Sequence, residues 1–376
     1  MKNYIKELDG LRGLAVLLVI AYHIFSKAAY FIDHPLLLFI SRLTAVGWVG
    51  VDIFFTLSGF LITSILLKVK GQPGYFKNFY ARRTLRIFPL YIVGVSAIIV
   101  LMSSNSDVIS AVHNLIKALP FFVFYTQNWL MVFSGIPVRA YLGITWSLAV
   151  EEQFYLLWPW VVHYFEQRKL IYMALGFILV SMLFRAVGVF LWKNTSQAVD
   201  FFYYSSFTRF EEAMIGSVLA ISLTYEDLKK KISQYAFPLF TASLVSFLFL
   251  CLISYPNNPH PFGVNIPLTI SGYTLSSLFT AALISIFVLH PERTVLHRIF
   301  QSQILVFFAK YSYSMYLFHM TIALVLKDIL WNTGLLGWKA YFLYIFLVYF
   351  LTTILAMLTW HLFEEKILQL KKYFNS

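Results

Sequence analysis

The sequence predicts an all-α, polytopic integral membrane protein, with about ten transmembrane helices in one bundle. Three observations predict it. Of the 376 residues, 60% are hydrophobic and only 12% charged, about half the charge of an ordinary soluble domain. Phe, Tyr and Trp supply 19% of the chain, and the mean hydropathy is +0.73. The apolar residues also fall into runs of the roughly 20 residues that a spanning helix needs. A soluble fold of this size has no interior large enough for that surface. Disorder, collagen-like repeats and a small disulfide scaffold are excluded by the same numbers.

Residues 12–31 form the first expected span. Lys2 and Lys6 precede an apolar run, as in a signal peptide, but Arg12 and His23 interrupt it and no small-residue cleavage site follows. It therefore reads as a retained helix. The further expected spans are 46–67, 87–103, 144–164, 170–191, 207–223, 236–255, 268–289, 303–326 and 340–363. Residues 118–133 are apolar but short and broken by Thr126, Gln127 and Asn128, which predicts an interfacial or re-entrant segment. Only 13 residues follow Phe363, so no soluble domain is expected there. The whole chain, 1–376, reads as a single transmembrane domain.

The net charge is +12, which in a membrane protein reads as orientation rather than nucleic-acid binding. With the N-terminus inside, nineteen of the 29 Lys and Arg face the cytoplasm and seven face outward. The other three, Arg185, Arg209 and Lys310, lie within spans. Lys and Arg concentrate on the cytoplasmic side, so the split predicts both termini in the cytoplasm and a multi-pass protein of the inner membrane. Cys251 is the single cysteine, leaving no disulfide and no thiolate zinc site.

Charges at membrane depth are costly and mark sites. Arg12 and His23 are eleven residues apart, about three helical turns, so they share one face about 16 Å apart along the axis. Arg12 then sits at the cytoplasmic mouth and His23 past the middle. By orientation, Asp52, Glu151, Glu152, Arg185, Arg209, Glu211, Glu212 and His319 all reach the outer half of their spans. They line a charged cavity or pair with one another, and pairing of Arg209 with a carboxylate is the cheaper structural arrangement. On the inner side Arg83 and Arg86 are helix neighbours. That spacing suits a phosphate, whose oxygens guanidinium binds bidentately; plain orientation of the helix is the alternative. Phosphate-loop, dinucleotide-binding, nucleophile-elbow and His-Glu-x-x-His motifs are absent, and no metal is expected.

Six strings in order together resemble the membrane acyltransferase 3 family. They are Leu8-Asp9-Gly10-Leu11-Arg12-Gly13 continuing to His23, Gly50-Val51-Asp52 through Ile62, and Arg83-Thr84-Leu85-Arg86-Ile87-Phe88-Pro89. Thr145-Trp146-Ser147 through Tyr155, Arg209-Phe210-Glu211-Glu212 and Tyr311-Ser312-Tyr313 through His319 complete the set. The resemblance implies a ten-helix domain that moves an acyl group, usually acetyl, from cytoplasmic acyl-CoA to hydroxyls of cell-envelope or exported glycans. It places the catalytic histidine on His23 and the membrane glutamate on Glu151 rather than Glu152. The basic partners fall on Arg12, Arg83 and Arg86, which would meet the phosphates of acyl-CoA. Asp52, Arg209, Glu212 and His319 are the expected acceptor-side residues. Many members carry an extracytoplasmic SGNH hydrolase domain, and this chain resembles the stand-alone form. The expected partners are a glycan or lipid-linked sugar, membrane lipid and a separate extracytoplasmic acyl-transfer protein, with no nucleic acid. His23 would act as general base on a hydroxyl or, alternatively, as nucleophile. Rival readings are acylation of a secreted small molecule, secondary transport and a non-catalytic scaffold.

Overall fold

A segment in lipid must satisfy its backbone groups internally, and the described residues accordingly form helices with no strand among them. The computed structural model describes residues 4–28, 31, 34–103, 117–133, 139–191, 196–254, 266–290 and 294–374. Residues 29–30 and 255 of the expected spans, and Lys2, Lys193 and Arg293 of the charge count, lie outside the described residues.

The helices are α1 (Lys6–Ala28), α2 (Pro35–Thr44), α3 (Val49–Val69), α4 (Tyr75–Ser103), α5 (Gln127–Phe133), α6 (Trp146–Tyr164) and α7 (Gln167–Leu191). There follow α8 (Ser196–Tyr204), α9 (Ser206–Ser222), α10 (Glu226–Ile253), α11 (Tyr273–Leu289), α12 (Val295–Phe300), α13 (Gln303–Asn332) and α14 (Gly337–Thr359). Eight helices among the described residues are long and apolar enough to cross a membrane. The other two expected spans are helices as well, α6 and α9. Each falls short for a telling reason: α6 carries Glu151 and Glu152, and α9 has 17 residues including Arg209, Glu211 and Glu212. Of the wholly buried charges, Arg209, Glu211 and Glu212 lie on α9, Asp52 on α3 and Arg185 on α7.

Packing follows from small residues. Among membrane helices, close approach is won by residues that let backbones touch. A Cβ at Gly59 of α3 would lie 2.0 Å from the Ala213 carbonyl oxygen of α9, and one at Gly216 would lie 2.0 Å from that of Thr56. Gly10 and Gly13 act likewise for α1, which meets the Phe300 and Leu305 carbonyls of α12 and α13 at 1.7 and 1.9 Å from the missing Cβ atoms. Thus α1, α3, α9 and α13 form the interior, flanked by α11. By contrast α7, α10 and α14 turn exposed apolar side chains such as Leu183, Phe249 and Phe346 outward.

The 118–133 segment folds as helical residues 117–123, a turn at 124–126 and α5. Its breakers point inward, with Gln127 and Asn128 fully buried. Gln127 Nε2 donates to the Thr145 carbonyl at 2.8 Å, and Asn128 Nδ2 donates to Ser206 Oγ at 2.9 Å. Amides that looked like breaks in a span are the anchors of a segment packed against α6 and α8.

Candidate active site

Three groupings emerge from the candidate residues. The first is a cavity of about 580 Å³ between α1, α3, α4, α6 and α13. Its cationic lining is Arg12, Lys68, Arg82, Arg83, Arg86 and Lys371. Successive turns of α4 present Arg82, Arg83 and Arg86 together, as residues three and four apart share a face. Arg83 lies 5.2 Å over the Tyr155 ring and Arg86 lies 5.6 Å over Trp360, while Arg82 donates to the Phe374 carbonyl at 2.8 Å. Arg12 pairs with Asp9 at 3.1 Å. Tyr4 also donates to Asp9, and that hydrogen bond, with burial second, pushes its phenol up to about 12.

The same cavity is also lined by Phe54, Ser58, Ser147, Glu151, Tyr155 and Tyr316. Ser58 donates to Glu151 Oε1 at 2.5 Å, and Tyr155, one turn along α6, donates to the same oxygen. Glu151 therefore meets the cavity already held by two hydroxyls. Its neighbour Glu152 is not part of the cavity wall.

The second grouping is a pair of histidines. His319 Nε2 lies 3.1 Å from His23 Nδ1, joining α13 to α1 with ring centroids 5.0 Å apart. His319 Nδ1 faces the Tyr316 and Met315 carbonyls at 2.7 and 3.2 Å, and His23 Nδ1 also faces the Val19 carbonyl at 2.9 Å. The pair adjoins the cavity through Tyr316, whose side chain lines the cavity while its carbonyl receives His319. Tyr316 and Ser147 hydroxyls lie 2.5 Å apart there.

The third grouping is a sealed charge cluster. Arg209 donates to Asp52 at 2.6 Å and forms an ion pair with Glu212 at 2.9 Å, and Arg185 forms an ion pair with Glu211 at 2.6 Å, every one of these side chains 0% exposed. Ser276 donates to Asp52 Oδ2 at 2.5 Å and Thr274 donates to Glu211. The Arg209 guanidinium sits 4.2 Å over Tyr273, with Trp146, Tyr203 and Phe55 around it. A π-helical turn at Leu268–Gly272 presents the Ile270 carbonyl to Arg185 Nη2 at 3.1 Å. Such turns free carbonyls from the regular ladder.

The structure thus brings Arg12, Arg83, Arg86 and Glu151 to one cavity, joins His23 to His319, and pairs Asp52 with Arg209 and Glu212. The sequence reading grouped His319 with the last three as acceptor-side residues. The hydrogen bonds run differently: Glu151 receives Ser58 and Tyr155, and His319 reaches the imidazole. Ser58, Tyr155, Ser147 and Tyr316 were missed as site residues. Tyr155 and Ser147 were detectable, each four residues from Glu151 on its helix face, as was Tyr316, three residues before His319; Ser58 carried no such signal.

A family model described as an acyltransferase domain matches residues 5–361. A protein provisionally named O-acetyltransferase in Staphylococcus aureus strain COL is 30% identical over 338 residues, 85% of this chain and 51% of that protein. The peptidoglycan O-acetyltransferase OatA of Listeria monocytogenes is 29% identical over 358 residues, 90% of this chain and 52% of that protein. A provisionally named peptidoglycan O-acetyltransferase of Bacillus subtilis is 30% identical over 379 residues, 97% of this chain and 55% of that protein. The chain spans about half the length of these relatives. No solved structure matches it.

Proposed function

The chain belongs to the acyltransferase family, and from that premise we propose that it moves an acetyl group from cytoplasmic acetyl-CoA to a hydroxyl of an envelope or exported glycan. The observation that carries the reading is the cavity. It is lined by the cationic groups that a nucleotide's phosphates need and by several hydroxyls, and it is bordered by Tyr316, whose carbonyl faces His319; His23 and His319 themselves do not line it. The relatives named for peptidoglycan O-acetylation support a glycan as the acceptor.

Arg83 and Arg86, with Arg12, would hold the phosphates of the donor, because charge-assisted guanidinium–phosphate bonds are strong and directional. The donor supplies a thioester carbonyl open to attack by oxygen. Glu151, fixed by Ser58 and Tyr155, would position groups along the cavity wall. His23 is the general base. Its Nδ1 faces the Val19 carbonyl, so Nδ1 carries the proton of the neutral ring and the basic lone pair is on Nε2. It takes the proton of the attacking hydroxyl at Nε2 and returns it to the departing thiolate, so the protein ends unchanged. A pKa near 6.5 in the unperturbed side chain suits both transfers.

Asp52, Arg209 and Glu212 are proposed to set the geometry of the acceptor side by bracing α3 and α9. The cytoplasmic placement of both termini, the inner membrane and contacts with lipid belong to the same proposal, as does a separate extracytoplasmic acyl-transfer protein. The test is acyl transfer from labelled acetyl-CoA in membrane vesicles, wild type against His23→Ala at matched protein levels, with crude envelope glycan as acceptor. Label on the glycan is expected only with wild type. Equal labelling by both variants would overturn the assignment of His23.

A further inference from the structure

We propose that His319 is the positioning residue of the transfer reaction, accepting the Nδ1 proton of His23 in a hydrogen bond and sharing the positive charge when His23 becomes imidazolium. The inference rests on His23 being the base of the proposed function. It follows from proton bookkeeping. Carbonyl oxygens accept and never donate, so the 2.7 and 3.2 Å contacts of His319 Nδ1 with the Tyr316 and Met315 carbonyls place a proton on Nδ1. The neutral His319 ring then presents a lone pair at Nε2, the atom 3.1 Å from His23 Nδ1. The same rule applied to the Val19 contact places a proton on His23 Nδ1. A donor faces an acceptor, and the arrangement is self-consistent.

The Val19 carbonyl is a poor sole partner, since it lies four residues before His23 and is also the acceptor for the helix's own backbone ladder. A fully buried imidazole is the better acceptor for a growing charge. When the hydroxyl proton arrives at His23 Nε2, the Nδ1 proton stays shared with His319 Nε2 and one positive charge spreads over two rings. No further donor is needed, because the proton leaves again from His23 Nε2. In hydrolases the same place behind the histidine is filled by a carboxylate, whose loss costs about 10⁴-fold in kcat. A neutral imidazole does this work without placing a negative charge at membrane depth, where charge is costly.

The fold supports the pairing independently. Gly10 and Gly13 bring α1 against the start of the α12–α13 unit, and that contact sets the spacing at which His23 and His319 meet farther along. His319 is itself fixed on both sides, by carbonyls of its own helix and by the ring of Tyr316 at 5.8 Å.

The test uses the full chain in membrane vesicles, with labelled acetyl-CoA and a crude envelope-glycan fraction as probes, and compares His23→Ala, His319→Ala and His319→Gln. Expected for His319→Ala is a fall in kcat of about 10²- to 10⁴-fold at unchanged KM for acetyl-CoA. His319→Gln is expected to recover at least about tenfold over the alanine variant, since an amide oxygen accepts from Nδ1 but cannot share charge as a ring does. Full activity in His319→Ala with an inactive His23→Ala overturns this inference alone. Equal losses in both His319 variants together with a raised KM would make His319 a packing residue, and overturn it as well. Full activity in His23→Ala would overturn the proposed function and this inference with it.

Discussion

The arginine-lined cavity and the sealed charge cluster are built from the same kinds of side chain and differ in what surrounds them. Both combine arginines with carboxylates and aromatic rings. In the cluster each guanidinium is closed by carboxylates at 2.6–2.9 Å, with the side chains wholly buried. In the cavity Arg83 and Arg86 lie over aromatic rings and line open space. Cation–π contact costs a guanidinium little of its capacity to donate in its own plane. The lesson is that charged side chains in such a bundle have two uses, told apart by whether they are closed by buried opposite charge or line open space.

That contrast can be broken. Arg209→Ala takes the shared counter-ion from Asp52 and Glu212 and leaves carboxylates buried, which costs about 3–5 kcal/mol. The expected result is loss of monodisperse, folded protein on detergent extraction, or a clearly lowered Tm. An unchanged Tm would show that the cluster is no brace. A smaller effect of another kind is expected in the cavity. Arg83→Ala or Arg86→Ala should raise KM for acetyl-CoA roughly ten- to hundredfold, the equivalent of the about 1.5–3 kcal/mol of a hydrogen bond to a charged group. The Tm should hold. A fallen Tm with unchanged KM would move these arginines into the same class as Arg209.

Two finer measurements sharpen the comparison. Tyr155→Phe removes one of the two hydroxyls on Glu151 and should cost about 1 kcal/mol, a several-fold loss of kcat/KM; wild-type kinetics would release Glu151 from the site. Added salt should act on the cavity and spare the cluster, because at roughly 1 M the screening length falls to about 3 Å where solvent reaches and buried pairs are little affected. A few-fold rise in KM with no change in Tm is expected. A parallel fall in Tm would mean that water reaches the cluster.

Much of the site was legible along the chain. Arg12 and His23 share a face by helical arithmetic, and Arg83 and Arg86 by spacing. The depth argument expected Asp52, Arg209 and His319 in the outer half of their spans and His23 past the middle, and Arg209 beside some carboxylate. It could not say which of those level groups touch. His319, grouped with Asp52, Arg209 and Glu212 by depth, meets His23 instead. Gln127 and Asn128 misled differently: polar residues in a short apolar run read as interruption, and only packing showed them as buried anchors of a segment against α6 and α8.

The sequence by itself determined that this is an all-α protein of the membrane, and roughly where its long apolar helices run. Run length and rise per residue are one-dimensional quantities, read directly from composition and position. Lateral neighbours were decided only by the tertiary structure. Which helix lies beside which depends on where Gly10, Gly13, Gly59 and Gly216 let backbones meet, and those contacts join residues hundreds of positions apart. His23 and His319 are separated by 296 residues and meet at 3.1 Å. Depth is a property of one helix, whereas a hydrogen bond between helices is a property of their crossing.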